Sequence, residues 1–114
     1  LHTLCLLDIK THEPDYQHLA KTCVTRYLPP RFMTVNQAVE QLLSAEQEHQ
    51  RGVCGPETRA VGMARLGQAD EIIVSGSLAE LRTVDFGAPL HCLVLCAPTL
   101  HDIEAEYVAQ FAAA

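Results

Sequence analysis

Two short, almost unbroken apolar runs constrain this chain most. Thr3 to Asp8 reads Thr-Leu-Cys-Leu-Leu-Asp, and Leu90 to Ala97 reads Leu-His-Cys-Leu-Val-Leu-Cys-Ala. A strand with one wet face alternates apolar and polar residues, whereas a run without alternation is the pattern of a strand covered on both faces. Helices must then do the covering. Three stripes at helical spacing qualify: Tyr16, Leu19, Ala20, Cys23 and Val24; then Val35, Ala38, Val39, Leu42 and Leu43; then Leu100, Ile103, Tyr107 and Phe111. Thr34 with Gln37, Ser77 with Glu80, and Thr99 with Asp102 each put a hydroxyl three residues ahead of a side chain that can reach back. That spacing predicts helix starts at those points.

Arg59 to Leu66 alternates differently, with Arg59, Val61, Met63 and Arg65 on one side and small residues plus Leu66 on the other. Gly67-Gln68-Ala69-Asp70 supplies turn residues before Ile72-Ile73-Val74, so a hairpin is expected, ending near Gly76. Pro29-Pro30 and Gly52 to Pro56 punctuate the loops flanking the long helix. The expected architecture is α/β, a mixed β-sheet flanked by helices. Its strands are Thr3–Asp8, Arg59–Leu66, Ile72–Ser75 and His91–Ala97, and its named helices are Thr34–His49 and Leu100–Phe111.

A length of 114 residues with 48% apolar content suits a single domain, residues 1–114. The opening at Leu1, directly on an apparent strand, leads us to expect a cut at a domain boundary. No apolar run approaches the ~18 residues that would span a bilayer, so a membrane partner is not expected. A net charge of −6 with scattered Lys and Arg argues against direct nucleic-acid binding.

Five cysteines, an odd number, suit a reducing compartment better than a disulfide framework. Cys92, Cys96, His101 and His91 could be taken for a metal cluster. On a strand, however, Cys92 and Cys96 lie roughly 13 Å apart at ~3.3 Å per residue, too far to share a zinc at ~2.3 Å bonds, so no metal is expected.

The sequence has no Gly-rich phosphate loop, no Gly-x-Ser-x-Gly elbow and no His-Glu-x-x-His. Asp8, Asp85 and His91 are the polar groups closest to the apolar runs. Such groups are usually hydrogen-bonded structural residues.

Three stretches say more in combination: Pro29-Pro30-Arg31-Phe32-Met33-Thr34-Val35-Asn36-Gln37-Ala38 followed by Gln41-Leu42-Leu43, then Val61-Gly-Met-Ala-Arg-Leu-Gly67, then Val84-Asp-Phe-Gly-Ala-Pro-Leu-His91. With the strand Leu1 to Lys10, they resemble, in the same order, the C-terminal domain of the diphthine synthase family, of the tetrapyrrole-methylase class. Thr11 to Tyr27 does not take part in the match, and Cys96-Ala97-Pro98-Thr99 departs from a stretch that tends to hold glycines. The resemblance implies half of a two-domain S-adenosylmethionine-dependent methyltransferase, without the N-terminal domain that carries the Gly-rich cofactor loop, and hence a chain inactive on its own. It implies cofactor contacts at Leu7, Leu66 and His91. Asp85 and His91 lie near that edge, but no catalytic residue is assigned. It also implies translation elongation factor 2 as protein substrate, methylated on its modified histidine, a homodimer, and a cytoplasmic setting. The alternatives are another methyltransferase of the class, acting on corrinoids or ribosomal RNA, and a non-catalytic binding or dimerisation module.

Overall fold

Thr34 starts the longest helix as its spacing requires. Its side chain accepts from Gln37 N at 3.2 Å, and Gln37 Oε1 accepts from Thr34 N at 3.1 Å, so two amides without helical partners are satisfied together. The same reciprocal pair, Ser77 and Glu80, opens a short helix directly after a strand. The computed structural model describes residues 1–10 and 14–113. In chain order its elements are β1 (Thr3–Leu6), β2 (Ile9–Lys10), α1 (Tyr16–Thr22), β3 (Arg31–Phe32), α2 (Val35–His49), β4 (Arg59–Ala64), β5 (Ile72–Ser77), α3 (Leu78–Leu81), β6 (His91–Leu95) and α4 (Asp102–Ala109).

The main sheet has four strands in the order β1-β6-β4-β5, and β2 pairs with β3 in a separate two-stranded ribbon. All of these ladders are antiparallel. A parallel bridge joins Ser75 to Ala112, where Ser75 N donates to Phe111 O and Ala113 N to Ser75 O, each at 2.8 Å. The expected hairpin is present as β4–β5, with Arg59 opposite Ser77 and Ala64 opposite Ile72.

Residues directly opposite in an antiparallel pair share a face. Ala60, Gly62 and Ala64 therefore lie with Leu95, Leu93 and His91 on one face, and α2 and α3 pack there. Val35, Ala38 and Val39 of α2, Leu78 and Leu81 of α3, Phe86 and Leu93 close the core over it. The small β4 residues are what let Phe86 approach. A Cβ on Gly62 would sit 2.5 Å from Phe86 Cζ and 3.1 Å from Val35 Cγ1.

The other face corrects the expectation of double coverage. Leu4 and Leu6 of β1 are 59% and 83% exposed, beside half-buried Val94, Cys92, Val61 and Met63. Helix α1 buries none of its residues, and Cys23, expected on its stripe, is instead its left-handed C-cap. Helix α4 buries none either, with Ile103 and Tyr107 exposed. An apolar run records what a strand could bury, whereas what covers it depends on where the helices fall. Thr99 and Asp102 do not form the third cap. The N-cap is His101, whose Nδ1 accepts from Ile103 N, while Glu104, three residues on, accepts from His101 N; the chain bends at Pro98–Thr99, so the helix starts later than the Thr99–Asp102 spacing implied.

Candidate functional site

Every bond the His91 ring can make is spent within the chain. Its Nδ1 accepts from Val35 N at 3.2 Å, so that nitrogen carries no proton. Nε2 then bears the hydrogen and donates to Gly87 O and Ala88 O, at 3.0 and 3.1 Å. The residue is 9% exposed, with the ring tilted against Phe86 at a centroid distance of 5.8 Å. With its lone pair facing an amide, this imidazole cannot serve as a general base.

Leu7 and Leu66 reach the same end of the sheet by different routes. Leu6 pairs with Cys92, so Leu7, one residue further, comes level with His91, and it is half-buried against the core. Ala64 also pairs with His91 and ends β4. Arg65 then takes a positive φ of 52°, which breaks the alternation and turns Leu66 out to 51% exposure. The sheet thus brings the three sequence-predicted residues to one edge: a packed leucine, an exposed leucine and a histidine with a spent ring.

The sequence pattern put Arg65 on the open face with Val61 and Met63, and the structure does otherwise. The arginine side chain is only 8% exposed and turns under the loop after α3. Nη1 donates to Phe86 O at 2.9 Å and to Ala88 O, Nη2 donates to Asp70 O at 3.0 Å, and Arg65 N donates to Leu90 O at 2.8 Å. Nε lies 2.8 Å from Asp70 Oδ2 at an angle that makes the contact an ion pair and not a hydrogen bond. The one sequence signal for this was an arginine between Ala64 and a Leu-Gly turn.

Asp85 is exposed and accepts from Gly87 N at 2.9 Å, shaping the same loop. Asp8 lies 3.7 Å from Lys10 Nζ, and its carbonyl accepts from Met33 N at 2.9 Å, tying β1 to the segment before α2. A cavity of about 120 Å³ opens between Phe32, Met33, Thr34, Gly87, Pro89 and His91. Pockets that enclose a ligand of cofactor size are about 300–1,000 Å³, so this cavity by itself is too small to enclose one.

No protein-family model matches the chain. Curated relatives do. A protein of Arabidopsis thaliana assigned as a diphthine methyl ester synthase is 53% identical over 106 residues, covering 93% of this chain and 38% of its own length. The diphthine methyl ester synthase of Emericella nidulans is 50% identical over 112 residues, 98% of this chain and 39% of that protein. The chain is related to the diphthine synthases.

Solved diphthine synthase structures agree. A crystal structure assigned as a diphthine synthase of Entamoeba histolytica superposes with a TM-score of 0.85 at 42% identity, over all of this chain and 40% of that one. A second diphthine synthase structure gives 0.68 at 33% identity, over 97% and 34%. The chain therefore spans about two fifths of the length of the curated diphthine methyl ester synthases it matches.

Proposed function

We propose that this chain is the C-terminal part of an S-adenosylmethionine-dependent diphthine synthase, and that Leu7, Leu66 and His91 form one wall of its methyl-donor site. The observation that carries the reading is the match to proteins named diphthine methyl ester synthase over nearly the whole chain. The convergence of the three residues on one sheet edge supports it. An exposed leucine beside a small cavity suits the apolar part of an adenosine, and His91, with its ring committed, would contribute backbone and surface.

Methyl transfer from a sulfonium is a direct displacement. The new bond forms to the acceptor as the carbon–sulfur bond breaks, and the sulfur leaves as a neutral thioether. The positive charge leaves the sulfur and is spread out in the transition state, so a dry apolar wall and alignment supply most of the acceleration. An amine acceptor must first shed a proton, which this chain's His91 cannot take. A carboxylate acceptor, as the name methyl ester implies for the relatives, needs no base at all.

The acceptor we propose is the modified histidine of translation elongation factor 2, met in the cytoplasm by a homodimeric enzyme. The remaining length of the relatives would supply the Gly-rich domain facing this wall. The test is transfer of labelled methyl from S-adenosylmethionine to elongation factor 2 carrying the modified histidine, catalysed by the full-length protein. Label on that histidine is the expected result. Transfer to a corrinoid or to ribosomal RNA, or none, overturns the proposal.

A further inference from the structure

We infer that Arg65 is a positioning residue for the methyl-donor wall, a clamp that sets Leu66 and the His91 loop relative to each other; this rests on the function proposed above. Arg65 is adjacent to Leu66, and its positive φ of 52° is the bend that aims that leucine outward. A β-carbon residue in that region is strained, and strain of this kind persists where surrounding contacts over-determine it. Here they do. The guanidinium bonds to Phe86 O and Ala88 O on one loop and to Asp70 O on another, with Asp70 Oδ2 at 2.8 Å, while its own amide holds Leu90 O.

The same loop carbonyls bind His91. Ala88 O accepts from both Arg65 and His91 Nε2, and Gly87 O accepts from His91 Nε2. Gly87 has a φ of 72°, and a Cβ there would lie 3.5 Å from Arg65 Nη1, so the guanidinium lies close under the loop backbone. Arg65, Gly87–Ala88 and His91 are therefore one hydrogen-bonded unit. His91 at one end of it, and Leu66 next in the chain to Arg65 at the other, are wall residues of the proposed site. The Arg65 side chain is buried, with Nη1 and Nη2 bonded to carbonyls of this chain and Nε in its ion pair with Asp70, so it acts through its neighbours. Lysine would not replace it, because one ammonium cannot span two loops with fixed planar geometry.

The experiment uses the full-length protein and the variants Arg65→Lys and Arg65→Met, reading the methyl-donor KM and kcat separately at a temperature well below the measured melting points. A loosened wall weakens donor binding more than the chemical step. The expected result is a donor KM raised about ten-fold or more, kcat within about three-fold, and no rescue by lysine. A folded variant with an unchanged donor KM overturns the inference. If neither variant folds, Asp70→Ala removes only the ion pair and should raise the donor KM a few-fold, and no change there is equally fatal.

Should the unaltered protein transfer no methyl group, the proposed function fails, and the clamp is tested separately by ¹⁵N spectra of the His91 ring, assigned by difference from His91→Gln. The unaltered protein should show one neutral tautomer protonated at Nε2, and Arg65→Met should show exchange between forms. Identical spectra would refute the clamp.

Discussion

His91 Nδ1 accepts the backbone amide of Val35, the first residue of α2, across 56 positions of sequence. One side chain thus fastens a helix start to the opening of β6 while its other nitrogen holds the 87–88 loop. His91→Ala would leave the buried Val35 amide and the Gly87 carbonyl short of a partner, while Ala88 O keeps Arg65. A buried group left unsatisfied costs about 1–3 kcal/mol, and a loss of about that size is expected, with His91→Gln recovering part of it. Urea denaturation measures this directly, and an unshifted midpoint for His91→Ala would remove the residue from the framework.

Gly62→Ala tests how closely β4 meets the core. The added methyl would lie 2.5 Å from Phe86 Cζ, and Phe86 is fully buried, so the ring has nowhere to swing. Overpacking of this kind costs about 1–3 kcal/mol. Thermal melting should show the loss, and it should be smaller when combined with Phe86→Leu.

Acid should act on the loop after α2 through Glu46. Burial by itself would raise this carboxyl, yet the amides of Val53, Cys54, Arg51 and Gly52 together outweigh it and hold the group below the usual glutamate range. A carboxyl depressed by folding adds stability above its unfolded pKa and loses it as the pH falls through the folded one. The gap in stability between the unaltered chain and Glu46→Gln should therefore narrow from pH 7 towards pH 3. A gap that stays constant would show that the charge does not matter.

Half a wall should bind half a ligand poorly. For the isolated chain, calorimetry with S-adenosylmethionine is expected to show at most about millimolar affinity, roughly −4 kcal/mol. In the full-length protein, Leu66→Asp should weaken donor binding by putting a charge against an apolar surface. Micromolar binding by the chain alone would mean that the site lies within these residues.

Much of the frame was legible before the structure. The α2 stripe, its Thr34–Gln37 cap and the small-residue side of β4 are local patterns with one physical solution, and each is found within a residue or two. The bareness of Leu4 and Leu6 was not legible, because periodicity measures apolarity and not the neighbour that hides it. Nor was Arg65 readable from alternation, since a positive φ takes it out of the strand pattern. Leu7, Leu66 and His91 came from family resemblance. Nothing in their spacing, 59 and 25 residues apart by position number, marks a common edge.

That edge exists because β6 lies between β1 and β4. β1 precedes the other strands of this sheet in chain order and has no sheet neighbour until β6, the last of them, is synthesised. During vectorial synthesis the β4–β5 hairpin can close early, but Leu7 and Leu66 stay unconnected until His91 to Leu95 slides in as the keystone. A chain cut before residue 91 would leave β1 without a partner in this sheet, so the pairing of its first strand waits on its last.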